Sequence, residues 1–118
     1  MAYRVAIVDD IGADAEFVKG ILTDWAYDRQ IVVQAEIFPS AERFLFRYAE
    51  DKNWDILLLD IEMGAMDGVT MAKRVRRNNE AVQIVLITGY SDYIAEVYEV
   101  AALHYLMKPV SREKLKTV

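Results

Sequence analysis

The run Ile56-Leu57-Leu58-Leu59 constrains this chain more than any other stretch, because every residue in it is apolar and it then stops on a carboxylate, Asp60. Successive side chains of a strand point to opposite faces, so a run without alternation asks for cover on both sides, as in a parallel sheet with helices in front and behind. A loop containing Gly64 and Gly68 follows. Asp60 thereby falls at the carboxyl end of a central strand, where open α/β sheets place their binding crevice. A lone Asp there serves equally well as a turn or helix cap, so the rest of the chain decides whether Asp60 is reactive.

The rest of the chain supplies matching units. Tyr3 to Val8 reads as a first strand, ending on Asp9-Asp10. From Ala13 to Tyr27, Phe17, Val18, Ile21, Leu22 and Trp25 recur at helical intervals and mark an amphipathic helix. Ile31 to Phe38 is a second strand, with Gln34 and Glu36 on one face as expected near a sheet edge. Pro39-Ser40 interrupts it, and Ser40 is placed to cap a helix from Ala41 to Glu50 with Phe44, Leu45 and Tyr48 inward. After Gly68 a helix runs from Val69 to Arg77, closed by Asn78-Asn79, and Gln83 to Thr88 is a fourth strand. A short fourth helix is expected over Asp92 to Val100, a brief fifth strand over His104 to Met107, and a final helix from Ser111. That last helix reaches Val118 after about two turns, which reads as a truncation. Strands alternating with helices require right-handed crossovers in a parallel sheet.

Length and composition narrow the function. A chain of 118 residues buries one core. No apolar run approaches the roughly 20 residues of a membrane span, and the amino terminus lacks the plan of a secretory signal. The absence of cysteine excludes disulfides, thiol chemistry and cysteine-ligated metals, and fits a reducing cytoplasm, the expected location. A net charge of −5 disfavours a sequence-independent nucleic-acid surface, and Lys73-Arg74-Arg76-Arg77 reads as a solvated helix face.

The parallel topology gathers chemistry at one edge. Asp9 and Asp10 leave strand one, Asp60 leaves strand three, Thr88 leaves strand four and Lys108 leaves strand five. Three neighbouring carboxylates repel one another and must hold protons or share a cation. Oxygen-only ligands suit a hard ion, and few protein ligands supplemented by water suit Mg²⁺. A carboxylate can also take a phosphoryl group, with an ammonium and a hydroxyl offsetting its charge. Lys108 and Thr88 fit those two roles, and backbone N–H groups between Ile61 and Met63 would complete the cradle.

Through Asp9-Asp10, Asp60, Thr88 and Lys108-Pro109, in that order at successive strand ends, the chain resembles the CheY-like receiver domain of two-component response regulators over essentially its whole length. The resemblance implies a flavodoxin-like, doubly wound α/β fold, a five-stranded parallel sheet of order 2-1-3-4-5 with helices on both faces. It implies Asp60 as phosphoacceptor, Asp10 and Asp60 as direct Mg²⁺ ligands, Asp9 as an indirect one through water, and the backbone carbonyl of Glu62 as a further ligand. Thr88 and Lys108 would contact the phosphoryl group, and Gly89 would leave room for it. The Lys108–Pro109 peptide would be cis, and the Tyr105 rotamer would accompany activation. Glu62 and Tyr90 occupy positions that in the family influence phosphate lifetime.

The implied partner is a sensor histidine kinase, and the domain would catalyse its own phosphorylation and dephosphorylation without being a conventional turnover enzyme. The phrases Thr88 to Tyr93 and Ala101 to Pro109 look most like receivers attached to LytTR-type DNA-binding domains, although His104 stands where an acid is common. The implied output is transcriptional, through an attached DNA-binding domain, with no nucleic-acid contact by the receiver itself. Tyr90, Tyr93, Tyr98 and Tyr105 mark the fourth helix, fifth strand and last helix as a candidate partner or homodimer face. Two rivals share these residues: a receiver fold that binds partners without phosphate, and an aspartate-nucleophile phosphohydrolase. The second would need an acid two residues after Asp60, which Glu62 partly fits, and a cap domain, which nothing provides.

Overall fold

The computed structural model describes residues 2–63, 66–77, 79, 81–88 and 104–107. In chain order the elements are β1 (Ala2–Val8), α1 (Gly12–Asp28), β2 (Val32–Phe38), α2 (Ala41–Glu50), β3 (Ile56–Asp60), α3 (Gly68–Arg76), β4 (Gln83–Thr88) and β5 (His104–Met107). All four strand pairings are parallel, in the order β2-β1-β3-β4-β5. This is the doubly wound arrangement expected from the alternation of strands and helices. The fourth helix and the final helix from Ser111 fall outside the described residues.

The unbroken apolar run now has its cause. Leu57 and Leu59 of β3 join Ala6, Val8, Ile84 and Leu86 on one face, under Phe44, Met71 and Val75 from α2 and α3. Leu58 joins Val5, Ile7, Val85 and Ile87 on the other, under Ala15, Val18 and Ile21 of α1. The central strands are therefore apolar on both faces over Val5–Val8, Ile56–Leu59 and Ile84–Ile87, and each Leu fully withdrawn from water contributes roughly 1.5–3 kcal/mol. Phe44 is the hub of the α2 side, meeting Phe38 edge-on at 5.2 Å and Trp54 at 5.6 Å between ring centroids. At the amino edge the Arg4 guanidinium lies 4.1 Å from the Trp54 ring centroid and pairs with Asp51 at 2.7 Å.

Helix α1 differs from its expected face at one residue. Its buried positions are Ala15, Val18, Ile21 and Ala26, whereas Phe17 is 49 % exposed. Phe17 lies about 100° around the helix from Val18, and the stripe that meets the sheet is centred on Val18. The outer strand β2 keeps its polar side, with Gln34 exposed and Glu36 paired to Arg47 at 2.7 Å. Charge on an outer strand discourages edge-to-edge pairing with another chain.

The helix starts are set by side chains. Ser40 Oγ accepts from the Arg43 N–H at 3.1 Å and Asp67 Oδ1 from the Thr70 N–H at 2.8 Å, caps that each stabilise by about 1 kcal/mol. At the other end of α3, Lys73, Arg74 and the following Arg77 are exposed, while Arg76 turns back to donate to the carbonyls of Asn79 and Val82. Positive charge there complements the helix dipole, so most of the basic cluster is a solvated helix end. Among the described residues no helix is long and apolar enough to cross a membrane.

Candidate functional site

Register brings the acids together. Val8, the last residue of β1, pairs with Leu59, so Asp9 and Asp10 emerge beside Asp60. Asp9 is held on two sides: its N–H donates to the Phe38 carbonyl at 3.1 Å and its Oδ1 accepts from the Ile11 N–H at 2.9 Å. One carboxylate oxygen from each of Asp9, Asp10 and Asp60 lies within 4.8 Å of the others. Asp60 is 2 % exposed and Asp9 7 %, while Asp10 is open to solvent, so the cluster has a floor and one accessible side.

An all-oxygen trio of this size suits a hard cation. Asp9, Asp10 and Asp60 would hold such an ion with water completing its shell, as Mg²⁺ usually requires. Glu62, whose carbonyl is the further expected ligand, follows Asp60 by two residues on the chain leaving β3.

The next strand adds the hydroxyl. Asp60 pairs with Ile87, and the Ile61 N–H continues the ladder by donating to the Ile87 carbonyl at 2.9 Å. That N–H is therefore committed to the sheet and is not part of the cradle expected between Ile61 and Met63. Ile61 is thereby level with Thr88, and Thr88, wholly buried, donates its hydroxyl hydrogen bond to Oε2 of the next residue on the chain, Glu62. Thr88 also pairs with Met107 of β5, which leads the fifth strand towards the same edge. Lys108, Pro109, Gly89 and Tyr90 lie outside the described residues, as does the side chain of Tyr105, whose backbone pairs with Leu86.

Two features of the site have no individual sequence signature. One is the Glu62 carboxylate on Thr88. The other is Gly68: a Cβ there would sit 2.3 Å from the Asp60 carbonyl oxygen, so the first turn of α3 presses on the end of β3. The Gly68 N–H donates to the Ile61 carbonyl at 2.9 Å. A glycine immediately after the capping Asp67 is the only trace of this contact in the sequence. Met63 and Met71 are buried in the core on the α2 and α3 side, and Met66 packs against that core.

A doubly wound parallel sheet with clustered acids at its carboxyl edge defines the CheY-like class of α/β domain. The chain belongs to the response regulator receiver domain family, whose profile matches residues 5–118. The sensory transduction protein LytT of Bacillus subtilis is 32% identical over 113 residues, covering 96% of this chain and 45% of that protein. The transcriptional regulatory protein ZraR of Klebsiella oxytoca is 27% identical over 114 residues, covering 95% of this chain and 24% of that protein. The chain thus spans less than half the length of these curated relatives. Among solved structures, the CheY-like receiver domain protein of Methanospirillum hungatei superposes with a TM-score of 0.82 at 25% identity, covering 98% of this chain and 88% of that one.

Proposed function

We propose that this receiver domain accepts a phosphoryl group on Asp60 from a sensor histidine kinase and passes the change to an attached output domain. The observation that carries the reading is the convergence of Asp9, Asp10 and Asp60 within 4.8 Å beside the buried Thr88 hydroxyl. An Asp60 carboxylate oxygen attacks the phosphorus of a phosphohistidine; the O–P bond forms as the P–N bond breaks, and its electron pair stays on the imidazole nitrogen. Asp9, Asp10, Asp60 and the Glu62 backbone carbonyl would hold Mg²⁺, which would neutralise charge on the transferring group. The ladder and the Gly68 contact keep Asp60 from moving as the bond forms, which favours the reactive alignment. Thr88 donates to one phosphoryl oxygen and the Lys108 ammonium neutralises another.

Phosphate then biases a pre-existing equilibrium at Thr88, Gly89 and Tyr105 and remodels the face formed by the fourth helix, β5 and the last helix. On this reading residues 1–118 are the receiver, that face meets an output domain or a second copy, and the output is transcriptional, of the LytTR type, in the cytoplasm. The names of LytT and ZraR support a regulatory output. Incubation with Mg²⁺ and a small phosphodonor, followed by intact mass measurement, should add one phosphoryl group to the wild type and none to Asp60→Asn. An unmodified wild type, or an equal gain in the variant, refutes the assignment.

A further inference from the structure

The Thr88 hydroxyl already has an anionic acceptor. It carries one proton and can serve one acceptor at a time as a donor. In the structure that acceptor is Glu62 Oε2. Asp60 pairs with Ile87 and the Ile61 N–H bonds the Ile87 carbonyl, so the ladder brings Ile61 level with Thr88, and Glu62, the next residue on the chain leaving β3, is close enough to reach the hydroxyl. Thr88 is wholly buried, so bulk water is a poor substitute for a lost partner, while Glu62 is only partly buried and can be rehydrated when it leaves. The exchange is asymmetric: the hydroxyl must hand its proton from one anion to another, and Glu62 has solvent to turn to.

We propose that Glu62 is a resident competitor for the Thr88 hydroxyl, an autoinhibitory latch that an incoming phosphoryl group must displace. This rests on the phosphoacceptor reading of Asp60 and extends it to the resting state. A phosphoryl oxygen and the Glu62 carboxylate make charge-assisted hydrogen bonds of the same kind, so the swap returns little net free energy. Glu62 thereby raises the threshold for occupying the site. Displacement also leaves a carboxylate without its Thr88 contact at the mouth of the loop between β3 and α3, tying the state of that loop to the state of Asp60.

The test is a double-mutant cycle read by beryllofluoride, a phosphoryl mimic, in the presence of Mg²⁺. Fluorine NMR gives the affinity of the wild type, Glu62→Ala, Thr88→Val and the double variant. A latch acting through the hydroxyl makes Glu62→Ala bind about tenfold tighter than the wild type, with Glu62→Gln between them, as expected for loss of a charged acceptor. In the Thr88→Val background the same change gives no gain, and Thr88→Ser, which returns a hydroxyl, restores it.

Plain removal of negative charge would tighten binding equally in both backgrounds, and that result overturns the latch while leaving Asp60 as the phosphoacceptor. An affinity unchanged in Glu62→Ala overturns it as well. Binding to none of the proteins defeats the phosphoacceptor reading, and the latch with it.

Discussion

Replacing Gly68 with alanine should injure the fold and the site together, because the added methyl has nowhere to go. An ideal Cβ at residue 68 lies 2.3 Å from the Asp60 carbonyl oxygen, 3.0 Å from its carbonyl carbon and 3.2 Å from the Ile61 Cα. Contacts of this kind are comfortable near about 3.5 Å, so the overlap with the oxygen exceeds about 1 Å. All three atoms are backbone, and no rotamer change relieves them. Either the first turn of α3 recedes, stretching the Gly68 N–H bond to the Ile61 carbonyl, or the end of β3 moves and takes Asp60 with it.

Overpacking of this sort costs about 1–3 kcal/mol and the weakened hydrogen bond about 1, against a helix-propensity gain of at most about 1. The net expectation is a loss of about 2 kcal/mol, or a fall in Tm of about 8 °C for a domain of this length. Urea denaturation measures the loss directly, and Gly20→Ala is the matched control. Gly20 is exposed within α1 with nothing within 4 Å of its added Cβ, so alanine there should stabilise by up to about 1 kcal/mol. A Gly68→Ala midpoint equal to or above that of the wild type would refute the steric reasoning. A titration with Mg²⁺ then separates the two routes of relief: weaker binding locates the movement at Asp60, and unchanged binding locates it in α3.

Two further outcomes test the core and the amino edge. Phe44→Ala, at a fully buried residue with Phe38 and Trp54 against its ring, should cost about 3–5 kcal/mol in urea, whereas Phe46→Ala, two residues on and 78 % exposed, should change stability by no more than about 0.5. The Asn53 N–H and then the Arg4 guanidinium hold the Asp51 carboxyl below its ordinary value of 3.8. A lowered folded-state value contributes stability that is present above 3.8 and lost as the pH falls through the folded value. Urea midpoints at pH 6 and pH 3 should therefore differ less in Asp51→Asn than in the wild type, and an equal difference would show that Asp51 does not supply this part of the acid sensitivity.

What could be read before folding, and what could not, follows from the range of the interactions. The apolar run of β3 announces its own burial, since a strand covered on both faces has no polar side to show, and the sheet order follows from the crossovers that parallel strands demand. The convergence of Asp9, Asp10 and Asp60 is equally legible, because each acid is tied to a strand end and parallel topology puts those ends on one edge. Phe17 is different. Adjacent apolar residues, Phe17-Val18 and Ile21-Leu22, permit two neighbouring stripes on α1, and only packing against β1 and β2 selects the one through Val18. The Glu62 contact is further from reach: it depends on Asp60 pairing with Ile87 and not with a neighbour of Ile87, and a one-residue slip would turn side chains to the opposite face.

Gly68 makes the same point from the other side. A glycine at the start of a helix is consistent with capping, with turning or with close approach, and the carbonyl of Asp60 decides in favour of the last. These two positions bracket the loop between β3 and α3, with Gly68 pressing on the backbone of Asp60 and Glu62 occupying the hydroxyl of Thr88. Asp60 is held on the strand side by its pairing with Ile87 and by Gly68, so on the proposed latch a group added to its carboxylate acts on Glu62. If Asp60 accepts phosphate as proposed, the loop between β3 and α3 is where its first consequence should appear.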